Sequence, residues 1–477
     1  MIETWDIIIV GAGSAGMPCA IAAAEAGARA LVIEKAAEIG GTLPVTGGHL
    51  SAGGTRRQRR LGIEDSPAEH FADILRISRN SVDEALTRLA VEEAPRTLDW
   101  LESLGFDFDP TTPKILFGHE SYSKPRTYFG QHAGLSILAV LRPLWDRHLA
   151  TGGITLRLEH AMSELVEENG AVVGVKARHG SEEIVFRGRH VALACGGYGS
   201  NPEFFARVTP QAARLVSTAI PQATGDGILA AIKLGARFRN ADKHLATLGG
   251  IETVPGSGRC DWNGAWANVY TAVYRPPLEI YVNERGERFI NEDEPSPDRR
   301  EHAVFAQPGQ RFWIIFDEAA TRAGPPLIRS WDGATLRAKA QEGQCAWVAE
   351  DLRELARKAG IAPDGLLSSV AQFNQATRTG IDSLGRRKLD HAISQPPFYA
   401  VLSYAAALVT FGGLAVDTEM RVLDEAGRPI KGLYAIGEIL GLGATSGRAF
   451  CSGMMLTPAI SFGRMLGDRL ARLSKAE

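Results

Sequence analysis

An α/β fold, with a parallel-sheet domain interrupted by an inserted α+β domain, is predicted by three observations. The chain opens on a continuous apolar run, Ile7-Ile8-Ile9-Val10, followed at once by Gly11-Ala12-Gly13-Ser14-Ala15-Gly16 and an Ala-rich helical stretch closed by Gly27. Apolar runs that end on glycines recur far downstream, at 190–197 and at 432–438. Between them, from about 240 to 397, short apolar runs alternate with Pro/Gly clusters, a pattern unlike either flank. The expected organisation is therefore a first part of the nucleotide domain over 1–239, an inserted capping domain over 240–397, and a return to the nucleotide domain over 398–477.

The opening run reads as a strand buried on both faces. With the helix at 17–26 and a second apolar strand at 29–34 ending in Glu34, it forms the Rossmann-like dinucleotide fingerprint in its required context. Gly11 makes the tight turn. Gly13 lacks a Cβ and lets a diphosphate approach the backbone, and Gly16 lets helix and strand pack closely. Ser14 and Ala15 complete a helix N-terminus whose free N–H groups and positive dipole end favour phosphate. Glu34 can accept hydrogen bonds from ribose hydroxyls and repels a 2′-phosphate, so the turn selects FAD or NAD over NADP.

Composition excludes other classes. The 477 residues carry a net charge of −3, with 45% hydrophobic and 22% charged residues, which suits a globular enzyme with no general attraction for nucleic acid or acidic membranes. The cluster Arg56, Arg57, Arg59, Arg60 reads as a solvated loop. The early apolar run is too short for a signal peptide, and no stretch approaches a membrane span. The five cysteines are dispersed, with no C-x-x-C, so their spacing encodes neither zinc nor an iron–sulfur cluster. That usage fits a reducing cytoplasm.

After Glu34-Lys35, a long Gly/Ser/Thr loop runs from Gly40-Gly41-Thr42 through Gly47 and Gly48 to Gly54. Loops of this length are usually functional, and here backbone amides can approach a flat ring. Helices are expected at 66–78, where Ser66-Pro67 resembles an N-cap with Pro at N1, and at 81–104, with Pro95 inside. The stretch 118–134 is polar and aromatic (His119, Glu120, Tyr122, Lys124, Arg126, Tyr128, His132) and leads into a helix at 135–149, a placement suited to substrate groups. A hairpin is expected about Asn169-Gly170, then a buried strand at 190–195 opening onto Gly196-Gly197. Asp226 opens a helix at 228–234. In the inserted domain, 279–283 and 288–292 are expected to pair as a hairpin, with a strand within 308–317 and helices at 351–360 and 365–377. A last helix, about 453–474, follows a Gly/Ser-rich stretch.

Several stretches together carry a resemblance: GAGSAG with Glu34-Lys35, GGTLPVTGGHLSAGG, LACGGYGSN, ATGDGILAA, YVNERGERFINE and LYAIGE. In combination they resemble the FAD-dependent fumarate reductase/succinate dehydrogenase flavoprotein superfamily, which includes the 3-ketosteroid Δ1-dehydrogenases and tricarballylate dehydrogenase-like enzymes. The resemblance implies FAD lying extended, with its diphosphate on the 11–16 turn and its adenine ribose on Glu34. Gly40, Gly41, Thr42, Gly47 and Gly48 would line the flavin, Ala161 would sit near the adenine, and Glu438 after Gly437 would meet the ribitol. Lys35, Ala194, Gly196, Gly197 and Asp226 complete the nucleotide side, and Ser452, Gly453, Met455 and Leu456 the flavin side. A capping domain would close over the ring, with substrate between the domains. No His stands at 41–42, where some members attach FAD covalently, so non-covalent FAD is expected.

Departures from the family pattern narrow the chemistry. Val409 replaces the His of the His-Thr-Met-Gly-Gly of fumarate reductases. Arg299 or Arg300 lies near their proton-donating Arg, and Arg275 at their relay Arg, whose Glu partner is Ala272 here. Ala449 replaces the Tyr of ketosteroid dehydrogenases, with Arg448 and Phe450 beside it. Arg448 is a candidate carboxylate clamp. The activity implied is two-electron transfer across a C–C bond beside a carbonyl or carboxylate. In the oxidative direction this is a dehydrogenase (desaturase) acting on a small, alicyclic oxo or carboxylate substrate. In the reductive direction it is a fumarate-type ene-reductase, and a 3-ketosteroid dehydrogenase is a third reading. Chemistry of this kind needs a base, an electrophile and a dry pocket. Candidate bases are Tyr128, Tyr122, His132, Tyr270, Tyr274 and the arginines, and backbone amides at Gly453 are a candidate electrophile. The electron acceptor (oxygen, quinone or a redox protein) is left open.

Overall fold

The first strand, Thr4–Val10, pairs in parallel with Ala30–Ile33 on one side and Glu182–Leu193 on the other. Ile154–Arg157 extends the parallel array beyond Ala30–Ile33, and Pro429–Ala435 extends it beyond Glu182–Leu193. The computed structural model describes residues 4–269 and 273–476, so Tyr270 and Ala272 lie outside the described residues. Ile7, Ile8 and Ile9 are fully buried, as a strand covered on both faces requires. The hairpin of Ala161–Glu168 and Ala171–His179 turns on Asn169 (φ 53°) and Gly170 (φ 74°), the two positive-φ positions that a tight two-residue turn demands.

The first helix, Gly16–Glu25, is sandwiched against the last, Leu456–Ala476. A Cβ on Gly463 would stand 2.4 Å from the Ala15 carbonyl oxygen, and one on Gly467 would stand 2.1 Å from that of Cys19. Glycines on one helix and alanines on the other thus set the close crossing that holds the chain's two ends together. The last helix begins at Leu456 rather than 453. Gly453 lies in the turn before it, and its carbonyl accepts the Thr457 N–H.

The second sheet is antiparallel, in the order Thr247–Gly250, Phe398–Ala406, Arg311–Asp317, Ile280–Val282, with Ala346–Ala349 also paired to Phe398–Ala406. Its helices Leu352–Ala359 and Pro363–Thr379 cover one face around Leu355, Leu366 and Phe373. The central strand, Phe398–Ala406, falls beyond the expected boundary at 397. The hairpin expected from 279–283 and 288–292 is not made: Ile280–Val282 pairs with Arg311–Asp317, and Val282 meets Arg288 through one isolated bridge. Arg288 is instead drawn to Glu292 (2.7 Å) and Asp382 (2.6 Å), both buried, which pulls that arm out of strand geometry.

Candidate functional site

The parallel strands end their carboxyl edges at Val10, Ile33 and Leu193, and the glycine turns gather there. Gly11 (φ 105°) is in a conformation closed to other residues, and a Cβ on Gly16 would stand 1.9 Å from the Gly11 carbonyl oxygen. Gly13, Ser14, Ala15, Gly41, Thr42, Ala194, Gly196 and Gly197 border an elongated crevice at this edge. Gly16 and Gly437 pack behind it, a Cβ on Gly437 striking the Ala15 side chain, whereas Gly40 and Gly48, expected to line the flavin, border neither this crevice nor the cavity beyond it, and a Cβ on Gly48 would strike the Ala133 backbone.

Glu34 is buried and accepts the N–H groups of Ala12 and Ala36, each at 2.8 Å, one on each oxygen. Each oxygen retains lone pairs toward the crevice. Lys35 Nζ donates to Thr224 Oγ1 and Asp226 Oδ2, both at 2.6 Å, and so ties the second strand to the helix Asp226–Lys233. Ala161 opens its strand and pairs with Arg178. Its neighbours His160 and Met162, rather than Ala161, reach the crevice wall.

The crevice continues into a cavity of about 970 Å³ between the two sheets' domains. Thr42, Gly47, Ser452, Gly453, Met455 and Leu456 line its inner end. Glu438 borders both spaces. It is half-buried, its carboxyl is pushed up by desolvation, and it accepts the backbone N–H (2.9 Å) and the hydroxyl (3.0 Å) of Thr410. Leu116, Leu408, Val409, Leu442 and Phe450 also line the cavity, and Val409, Leu442 and Phe450 belong to one apolar cluster. Trp262, Asp261, Arg259 and Arg329 stand toward the mouth.

Two imidazoles break this apolar wall. His119 stacks on Phe450 (ring centroids 5.2 Å apart, planes 27° apart), and His49 packs on Phe129 at 5.5 Å. Burial pushes His49 down to about 4, helped by the Lys114 charge, and pushes His119 down to about 3, helped by His49. Both are neutral at physiological pH.

The predicted catalytic set is largely dispersed. Arg448 points outward, 64% exposed, and pairs with Asp242 at 3.1 Å, so it clamps nothing in the cavity. Arg299 is 72% exposed, 3.7 Å from Glu294, because it sits on the outer side of the first turn of Pro297–Phe305. Arg275 is buried in a bidentate pair with Glu279 away from the cavity. Tyr128 is fully buried, bonded to Thr55 Oγ1 at 2.7 Å, and Tyr122 donates to the Ser452 carbonyl at 2.7 Å, so both are occupied in the core. His132 does not line the cavity. Tyr274 does, half-exposed at the mouth against Phe117. Gly453 lines the inner end.

His49 and His119 carry no assigned role in the sequence reading, although His119 falls in the polar, aromatic stretch 118–134 suited to substrate groups and His49 in the long Gly/Ser/Thr loop.

The family model described as FAD binding domain matches residues 6–454. The chain belongs to the FAD binding domain family. FAD is its cofactor, and it is an FAD-dependent oxidoreductase related to enzymes acting on C=C bonds. Family relatives include a probable fumarate reductase of Shewanella frigidimarina, 30% identical over 98% of this chain and 75% of that protein. The urocanate reductase of Eggerthella lenta is 29% identical over 98% and 75%. The 3-oxosteroid 1-dehydrogenase of Mycobacterium tuberculosis is 26% identical over 98% and 99%. Among solved structures, an open flavocytochrome c3 fumarate reductase has a TM-score of 0.76 at 28% identity, covering 99% of this chain and 79% of that one. The 3-ketosteroid Δ1-dehydrogenase of Sterolibacterium denitrificans shares the fold with a TM-score of 0.81 at 24% identity, covering 99% and 100%. Among the described residues no helix is long and apolar enough to cross a membrane.

Proposed function

We propose that this chain is a dehydrogenase (desaturase) that introduces a C=C bond beside the carbonyl of a small, neutral, alicyclic oxo substrate. The observation that carries the reading is the cavity lining, where Val409, Leu442 and Phe450 belong to one apolar cluster and Arg448 is turned away to Asp242. A carboxylate seated there would be desolvated against hydrocarbon, at a cost of several kcal/mol, whereas a ketone needs one hydrogen-bond donor.

The crevice fits the nucleotide part of FAD. Its glycine turn leaves open the space a Cβ would fill, and Glu34 is held with lone pairs free for ribose hydroxyls. Glu438, Ser452, Gly453, Met455 and Leu456 would border the ring system at the inner end. FAD supplies the two-electron acceptor. The protein's own part is to hold the substrate carbonyl, take up a proton and exclude water. FAD is held without a covalent bond, so acid precipitation leaves all flavin in the supernatant.

Anaerobic stopped-flow mixing tests the direction and the substrate class. Oxidised enzyme mixed with saturated ketones (cyclohexanone, 2-tetralone, a 3-ketosteroid) is expected to lose flavin absorbance, and Arg448→Ala is expected to do so at an unchanged rate. If only reduced enzyme reacts, and only with an unsaturated acid, the desaturase reading is wrong. That outcome is the second reading, an ene-reductase of the fumarate type. It is favoured by the relatives named as reductases and by Arg259 and Arg329 toward the mouth.

A further inference from the structure

We infer that His49 and His119 act as a divided proton-handling pair, His49 taking the α-proton of the substrate and His119 donating a hydrogen bond to its carbonyl oxygen. The inference rests on the proposed ketone reading of the cavity and assigns the base and the electrophile that reading lacks.

Elimination along the cavity wall points to the imidazoles. Glu438 is engaged with Thr410. Asp261 accepts the Asn263 N–H in an exposed turn at the mouth. Arg259 is exposed and donates to the Ala219 carbonyl, and Arg329 donates to the Trp262 carbonyl. Burial pushes the Cys260 and Cys451 thiols up to about 12. Tyr274 is half-exposed. Of the titratable side chains on the wall, His49 and His119 remain, and both are neutral.

The division of labour follows from the two rings' surroundings. His119 Nδ1 is buried with no hydrogen-bond partner. An orphaned buried N–H is rarer in proteins than an under-satisfied acceptor, so the proton belongs on Nε2 and Nδ1 keeps its lone pair. Nε2–H is then a donor, and stacking on Phe450 fixes its plane before substrate arrives. His49 packs on Phe129, over which Lys114 Nζ stands at 4.6 Å, and among the described residues its ring nitrogens make no hydrogen bond. One of them therefore offers a free lone pair.

The step balances without a further reagent. The α C–H bond breaks, its proton passing to a His49 nitrogen and its electron pair to the new C=C bond. Negative charge that builds on the carbonyl oxygen is met by His119 Nε2–H. The β C–H bond breaks with loss of hydride, for which FAD, when bound, would supply the two-electron acceptor. His49 then returns its proton to solvent.

The test uses the FAD-loaded enzyme and has two arms. In the first, 15N-histidine NMR on wild type, His49→Gln and His119→Gln assigns the two rings without any substrate. Both are expected neutral at pH 7, with the His119 proton on Nε2. Protonation of either ring, or the Nδ1–H form of His119, overturns the assignment. In the second, flavin bleaching and deuterium entry at the α-carbon are followed with whichever of the three ketones bleaches wild type. His49→Gln is expected to slow bleaching by roughly 10²–10⁴ and to abolish deuterium entry with substrate affinity little changed. His119→Phe is expected to lose roughly 10² or more, and His119→Gln, which still donates, is expected to retain most of it. Wild-type bleaching by His49→Gln, or equal rates for the two His119 variants, overturns the pair. Bleaching of wild type by no ketone refutes the proposed substrate class, leaving the NMR arm to judge the rings.

Discussion

At the scale of single residues, the buried charges show where stability and function separate. Arg126 is wholly buried between Asp65 and Asp73, each at 2.7 Å. Arg126→Ala leaves buried Asp65 without a cation and Asp73 with Arg76 alone, and is expected to cost about 3–5 kcal/mol, read from the midpoint of urea unfolding. Glu301 is the opposite case. Its carboxyl is wholly buried and desolvation raises its pKa well above the ordinary value. A raised folded-state pKa means that stability is full below about pH 4.5 and declines as pH rises, because only the unfolded chain then ionises. Glu301→Gln is therefore expected to melt higher than wild type at pH 8 and equally at pH 4.5. Arg448 was read from the sequence as a carboxylate clamp, and nothing local could show that Asp242, some two hundred positions earlier, would draw it to the surface.

At the scale of elements, the opening strand–turn–helix was legible because its determinants are local. Period, glycine positions and the closing acid all lie within the first 34 residues. The helix start at Ser66 was equally legible, since its side chain accepts from Glu69 N, whereas the next helix, expected from 81, starts at Glu84 behind Asp83, whose side chain accepts from Leu86 N. The failed hairpin at 279–292 marks the limit. Both arms have strand-like composition, but Arg288 and Arg386 converge on buried Glu292, and that distant partner decides the backbone path. The crossing of the first and last helices is likewise tertiary. Gly467→Ala would drive a Cβ into the Cys19 carbonyl oxygen and force the helices apart. The expected result is lost FAD retention and a lowered Tm, measured by flavin fluorescence during thermal unfolding.

At the scale of the whole molecule, burial of neutral histidines makes the enzyme acid-labile. Burial holds His49 and His244 down to about 4, and His70 and His119 down to about 3. A depressed folded-state value means that their contribution is complete above the unfolded value of about 6.5 and is lost as pH falls toward 3–4, since the unfolded chain binds protons first. Tm is expected to fall steadily below pH 6.5, with cooperative unfolding before pH 4, in a differential scanning calorimetry series. Replacing His70, which lies outside the cavity, by Phe is expected to flatten that decline.

The sequence by itself determined the nucleotide fold, because the residues responsible are close together in the chain and act through backbone conformation and periodicity, and its motifs from Gly11 to Glu438, taken together, pointed to FAD and the family chemistry. Only the tertiary structure decided which side chains face the substrate. The cavity wall is assembled from loops hundreds of residues apart, so that His119 meets Phe450, Val409 joins Phe450, and Arg448 leaves for Asp242. Orientation at such a wall is set by packing partners that no local pattern encodes.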